Sequence, residues 1–213
     1  MSRRLLVLGT RNRKKGLELS ELLAPFDFEL KTLLEIPESI EVDETGDSFL
    51  ENAHLKASEQ ARHLNQWVIG EDSGLRVDAL DGAPGIYSAR FSGEDATDEK
   101  NNRHLLEKLG EIPLEKRTAH YVCHMSLSNP QGEVLIDCEE YCRGRIRFDY
   151  EGSGGFGYDP LFEVVEYHMT FGTLGGSVKK VLSHRSRAIR KFVPELLGVV
   201  ERGEWPIPVA TTE

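Results

Sequence analysis

Two carboxylates stand side by side at Glu71 and Asp72, inside the run Gly70-Glu71-Asp72-Ser73-Gly74. Trp67-Val68-Ile69 ahead of them reads as a short buried strand. In open α/β sheets, ligands sit outside the carboxyl ends of strands. An acidic pair there suits a hard cation, which takes oxygen ligands and bridges to phosphate. Successive strand residues point to opposite faces, so Glu71 and Asp72 are expected to do different work. A polar turn closed by Gly74 is the plainer reading of the same five residues.

Three other stretches carry candidate chemistry. Leu5-Leu6-Val7-Leu8 reads as a buried strand running into Gly9-Thr10-Arg11-Asn12-Arg13-Lys14-Lys15 and then a helix with Leu19, Leu22 and Leu23 inward. Backbone N–H groups at a helix start form an anion site. Cations are unfavourable at that end, yet Arg13, Lys14 and Lys15 crowd it, a conflict that a bound phosphate removes. The loop lacks the glycines and the Gly-Lys-Ser/Thr ending of a P-loop, and a solvated basic turn is the alternative. Ser183-His184-Arg185 repeats the pattern, with Ser183 capping a last helix that Pro194 ends or kinks. Between them, Gly152 to Pro160 holds four glycines with Phe156, Tyr158 and Asp159. Such a loop lets backbone approach a ligand closely. Its rings offer flat faces to a base, and Asp159 is a candidate acceptor for a ring N–H or a ribose hydroxyl. A glycine-rich bend between strands explains the loop equally.

The elements that must position these groups are legible. Phe28 to Leu33 alternates as a second strand, followed by an acidic run with Glu38, Glu41, Asp43 and Glu44 that is either solvated or a source of a second metal ligand. Ser48 and Glu51 form a capping box for a helix to about Leu64. Asn52 and Lys56 fall on the border of its apolar stripe, where a lysine either snorkels to solvent or presents its ammonium to a ligand. Asp81 to Arg90 is a shaped loop. Thr97 caps a helix to about Leu109. Ala119–Ser128 and Glu133–Tyr141 read as strands joined at Asn129-Pro130-Gln131-Gly132, with another strand over Gly144–Phe148.

The 213 residues fit one large domain or two small lobes. We expect a single domain over residues 1–204 and a loose tail over residues 205–213. A formal net charge of −10 argues against a general nucleic-acid or anionic-membrane binder. Cys123, Cys138 and Cys142 make no disulfide framework and read as buried thiols, which favours a cytoplasmic protein. The apolar run before Gly9 is too short for a signal segment or a membrane span.

Taken together, Thr10-x-Asn12-x-x-Lys15, Asp43-Glu44-Thr45-Gly46 with Glu51-Asn52-Ala53 and Lys56, Asp72-Ser73-Gly74, Gly82 to Arg90, Gly155 to Pro160 and Ser183-His184-Arg185 resemble the inosine triphosphate pyrophosphatase family. The resemblance spans about Leu5 to Leu197. It implies an α/β fold, elongated and two-lobed around a long mixed β-sheet flanked by helices, with the active site in the cleft between the lobes. It further implies a Mg²⁺-dependent homodimer that hydrolyses ITP, XTP and their deoxy forms to the monophosphate and pyrophosphate. By matching position, Thr10, Asn12, Lys15 and Lys56 would hold the phosphates, and Asp43 and Asp72 would bind Mg²⁺. Asp72 with Glu71 would be the catalytic base. Ser73, Phe156, Gly157, Tyr158 and Asp159 would hold the base and sugar, and Lys179, His184 and Arg185 the 6-keto side.

The chain departs from the family at Glu71, where Asp is usual, at Asp43, where Glu is common, and at Arg11, where Gly is common. Gly172 to Val178 also differs, which leaves Lys179 and Lys180 as competing assignments. The alternatives are a pyrophosphatase of similar architecture with another base preference, and a non-catalytic nucleotide-binding module.

Overall fold

A computed structural model describes residues 3–206. Seven strands and five α-helices follow in the order β1 (Arg4–Gly9), α1 (Arg13–Leu23), β2 (Phe28–Thr32), α2 (Phe49–Leu64), β3 (Trp67–Val77), α3 (Asp98–Leu109), β4 (Thr118–Ser128), β5 (Val134–Ile146), β6 (Phe162–Val164), β7 (Met169–Thr170), α4 (Phe171–Leu182) and α5 (His184–Glu201). The strands form one mixed sheet in the order β2-β1-β3-β4-β5-β6-β7, so the fold is α/β with helices flanking a seven-stranded sheet. β1 pairs in parallel with β2 and with β3, β5 antiparallel with β6, and β6 antiparallel with β7. Leu6, Val7 and Leu8 are all fully buried, as a parallel strand covered on both faces requires.

The chain divides into two compact units. The first comprises residues 1–72, 124–139 and 188–213; the second comprises residues 73–123 and 140–187. In the first, Val7, Leu33, Ala61 and Val68 form a core cluster, and α2 packs directly on β3. A Cβ at Gly70 would run into Ala53 O and lie 2.6 Å from Ala57 N, so only glycine lets helix and strand approach this closely. In the second, Leu75, Leu105, Tyr121, Phe162 and Phe171 belong to a larger cluster. The three cysteines are buried and free, and burial pushes the Cys142 thiol up to about 11.

Three sequence expectations change. The Glu71–Gly74 stretch is not a turn: β3 runs unbroken from Trp67 to Val77. Gly144 begins no new strand, because β5 continues through it to Ile146. α5 continues past Pro194 to Glu201.

The expected tail is also corrected at its first residue. Trp205 is buried, stacked 4.6 Å from the Trp67 ring and 5.3 Å from Phe28, while Arg4 Nε donates to its carbonyl at 2.7 Å. An aromatic sandwich of this kind outweighs the chain-end entropy that would free the segment. The rest of the expected tail, residues 207–213, lies outside the described residues.

Two substitutions test this packing. Trp205→Ala should destabilise the protein by about 3–5 kcal/mol, read as a lower urea midpoint at unchanged slope; a midpoint equal to the parent's would return Trp205 to a tail. Gly70→Ala should cost about 1–3 kcal/mol by forcing α2 away from β3, checked by the same unfolding curve.

Candidate functional site

The central feature of the first unit is the period-2 alternation of β3. Glu71 is buried and receives the Lys15 ammonium of α1 at 3.0 Å. Asp72, its neighbour, accepts from Lys56 Nζ of α2 at 2.8 Å and from Asn52 Nδ2 at 3.4 Å. The two adjacent carboxylates thus meet different helices and different lysines, the division of labour expected from strand geometry.

The acidic loop reaches this group through Asn52. Gly46 N donates to Asn52 Oδ1 at 2.9 Å, and a Cβ on Gly46 would lie 2.6 Å from Glu51 Cβ, so glycine is needed for the loop to lie against α2. Two residues upstream, Glu44 Oε2 lies 3.3 Å from Lys56 Nζ. Asp43, the expected second metal ligand, is solvent-exposed like Glu44, but Glu44 is the one paired with Lys56. The carboxylate brought to Lys56 is that of Glu44, one of the acids the sequence left open as a ligand, where the family resemblance pointed to Asp43. Adjacent acids in an irregular loop have no fixed period to separate them. The usable signal was the Thr45-Gly46 step that docks on Asn52.

Electrostatics set the character of the group. Burial raises the Asp72 carboxyl above its ordinary range, ahead of the opposing pull of Lys56 and Lys15, and Glu44 pushes it further up. Burial pulls the Lys56 ammonium down, but Asp72 and Glu44 outweigh it and hold Lys56 above its usual value. Three carboxylates here face two ammonium groups. Burial and Glu44 therefore shift Asp72 upward, while the carboxylates of Asp72 and Glu44 keep the Lys56 ammonium favoured. A cluster short of positive charge, with hard oxygen donors at Glu44 and Asp72, fits a Mg²⁺-type ion.

At the start of α1, Asn12 is the N-cap: its Oδ1 accepts from Lys14 N at 3.0 Å and Lys15 N at 3.2 Å. Thr10 Oγ1 accepts from Asn12 N at 3.1 Å, so Thr10 and Asn12 hold the loop's shape. Arg11, where the family commonly has Gly, folds onto Ser39, donating to its carbonyl at 2.9 Å and its hydroxyl at 2.8 Å.

In the second unit, Asp159 organises the glycine-rich loop. It is buried and accepts from Phe156 N at 2.8 Å, from Tyr121 OH at 3.3 Å and from Lys179 Nζ at 2.6 Å. The Lys179 ammonium lies 4.2 Å from the centre of the Phe156 ring, within cation–π range. Lys179 is buried whereas Lys180 is exposed. Both lie on α4, which bends at Gly175, whose φ is +76°.

Tyr158 is corrected. It is buried in the core cluster, its hydroxyl donates to Ser88 O at 2.8 Å, and burial pushes the phenol well up. It offers no face for a base; Phe156, half-buried, is the ring of this loop that does. Gly157 has φ +61°, and its carbonyl accepts from Asn102 Nδ2 at 2.9 Å. At the start of α5, Ser183 Oγ accepts from Ser186 N at 3.2 Å, the expected cap. The His184 ring stacks on Tyr121 at 4.7 Å, and Arg185 donates to Ser73 Oγ at 3.0 Å.

The structure therefore brings together Lys15, Glu44, Asn52, Lys56, Glu71 and Asp72 in one unit. In the other it gathers Phe156, Tyr121 and Lys179 around Asp159, with His184 stacked on Tyr121 and Ser73 on Arg185. Among the described residues, no helix is long and apolar enough to cross a membrane.

Comparison with known proteins identifies the family. The chain is 52% identical over 196 residues to the dITP/XTP pyrophosphatase of Rhodopirellula baltica, covering 92% of this chain and 94% of that protein. Its fold matches the solved structure of a HAM1 protein from Coxiella burnetii with a TM-score of 0.82 at 31% identity, covering 92% and 98% of the two chains. The Staphylococcus aureus Ham1 protein matches with a TM-score of 0.79 at 38% identity, covering 94% and 100%. The model of the Ham1 family matches residues 6–195, and the chain belongs to that family.

Proposed function

We propose that this protein hydrolyses non-standard purine nucleoside triphosphates, ITP, dITP, XTP and dXTP, to the monophosphate and pyrophosphate, removing them from the nucleotide pool. The observation that carries the reading is the pair of buried lysine–carboxylate contacts on β3, Lys15 with Glu71 and Lys56 with Asp72, in a chain so similar to a dITP/XTP pyrophosphatase. An ammonium carries three N–H donors, so a lysine held by a buried carboxylate keeps donors for phosphate oxygens.

In this reading Lys15 and Lys56 bind the phosphates and stabilise charge developing on their oxygens, while Thr10 and Asn12 hold the loop that carries Lys15. Glu44 and Asp72 would hold Mg²⁺, which when bound polarises the phosphate and orients a water. Asp72, its carboxyl raised above the ordinary carboxylate range by burial, takes the water's proton, and Glu71 assists by fixing Lys15. Phe156 covers one face of the purine. Lys179, His184 and Arg185 donate towards its 6-keto oxygen. Adenine offers an amino group there, leaving such donors unmet, and an unmet buried donor is costly. Asp159 and Tyr158 act by holding the loop. Assembly as a homodimer and a cytoplasmic location belong to the same reading.

The direct test is pyrophosphate release from ITP, dITP, XTP, GTP, ATP and dTTP with Mg²⁺ and with EDTA. Release from the inosine and xanthosine nucleotides alone, abolished by EDTA, is expected; release favouring dTTP would point to another base preference, and none at all to a binding module. Asp72→Asn should lower kcat by about 100-fold or more. Because the metal binds the ionised carboxylate, Mg²⁺ affinity of the parent should rise with pH until Asp72 is fully ionised and then level off. Calorimetry across pH reads this, and a flat profile excludes Asp72 as a ligand. Lys179→Met should lower kcat/KM for ITP by about 10- to 100-fold, from loss of a charged hydrogen bond. Lys180→Met should stay close to the parent, and equal losses would undo the assignment to Lys179.

A further inference from the structure

A second cluster of metal-ligating groups stands in the first unit, formed by residues that the proposed reaction does not use. His54 projects from α2, His124 from β4 and Asp137 from β5, with one ligand atom from each lying within 4.8 Å of the others. His54 Nε2 lies 2.7 Å from Asp137 Oδ1, and His124 Nε2 lies 3.4 Å from the same oxygen. Ser126 Oγ donates to that oxygen at 2.6 Å, which fixes the carboxylate.

The two nitrogens of His124 decide the chemistry. Its side chain is buried, and its Nδ1 is buried without a hydrogen-bond partner, with Glu139 Oε2 at 3.8 Å. A proton on Nε2 would turn the Nδ1 lone pair towards the Glu139 carboxylate. A proton on Nδ1 suits Glu139, but then the Nε2 lone pair faces the Asp137 oxygen. A cation lying between Nε2 and Asp137 removes the repulsion. That arrangement, a ligating imidazole whose far nitrogen faces a carboxylate, is the usual outer support of a metal-bound histidine.

We propose that His54, His124 and Asp137 bind a divalent transition-metal ion of the zinc type, which ties α2 to β4 and β5. Two imidazole nitrogens and one carboxylate match a zinc donor set with a remaining position for water. This set is softer than the all-oxygen pair Glu44 and Asp72, so Mg²⁺ does not compete for it. Ligands of a tetrahedral zinc at about 2.0–2.2 Å lie roughly 3.4 Å from one another. The His124–Asp137 separation already has this value, and the His54 contact must open by about 0.7 Å. His54 and Asp137 side chains are each 38% exposed, which gives room for that shift and an entry path.

The test titrates metal-stripped, full-length protein with Zn²⁺ in excess Mg²⁺, with Co²⁺ as a spectroscopic probe. One Zn²⁺ per chain is expected, raising the unfolding temperature by mass action and persisting in Asp72→Asn. His54→Ala, at an exposed position, should weaken Zn²⁺ at least about 100-fold, and Glu139→Gln about 10-fold. Zn²⁺ binding unchanged by both His54→Ala and Asp137→Asn overturns the proposal. So does absence of Zn²⁺ binding with protons on both His124 ring nitrogens in nitrogen-detected spectra, which would make the cluster a buried ionic network.

Discussion

The alternation of β3 is the constraint on which the site depends. A strand sends neighbouring side chains to opposite faces. Glu71 and Asp72 are therefore served by lysines from two different helices, Lys15 on α1 and Lys56 on α2. This works only because α2 lies almost against the strand backbone at Gly70, where no side chain fits between Ala53 and Ala57. With a larger residue there, α2 would stand off, and Asn52 and Lys56 would lose their reach to Asp72. One glycine thus couples backbone packing to the electrostatics next to it.

Those electrostatics are unusual for a structural core. Burying an ion pair seldom adds stability over apolar packing, because desolvation takes back most of the attraction. Here the buried carboxylates of Glu71 and Asp72 face Lys15 and Lys56, with the exposed Glu44 at the edge, and the balance leaves Asp72 raised rather than lowered. A region that holds excess negative charge out of water is costly to keep unless it meets a cation and an anionic ligand in turn. Perturbed carboxyls of this sort are a marker of functional groups rather than of scaffolding.

Sequence revealed much of this in advance, for identifiable reasons. Apolar runs and caps located β1, α2 and α3, because a capping residue and a stripe are local signals: Ser48 and Thr97 each accept at a helix start. What it missed depended on distant partners. Continuation of β3 through Gly70 to Gly74 is imposed by neighbouring strands, not by the propensity of those residues. The choice of Glu44 over Asp43 depends on how Gly46 docks against Asn52. Trp205 looked like tail because its partners, Trp67 and Phe28, lie far away in the chain.

The glycine-rich loop makes the same point in a different way. Read as sequence, Phe156, Tyr158 and Asp159 are three ligand-facing side chains of equal standing. Packing sorts them. Tyr158 turns into the core and anchors the loop to Ser88, and Asp159 turns under it to gather Phe156 N, Tyr121 and Lys179. Only Phe156 and the Lys179 ammonium above it are left half-buried or poised beside a ring, in a geometry their buried neighbours have already fixed. Positions with φ near +60° to +75° at Gly155 and Gly157 allow the chain to turn around Asp159 in so few residues. A Cβ at Gly155 would strike the Asp159 carboxylate itself, so the glycine exists to admit the acid. The loop is thus organised by an internal carboxylate, as the first unit is by Asp72. In both, a buried acid holds a lysine in place.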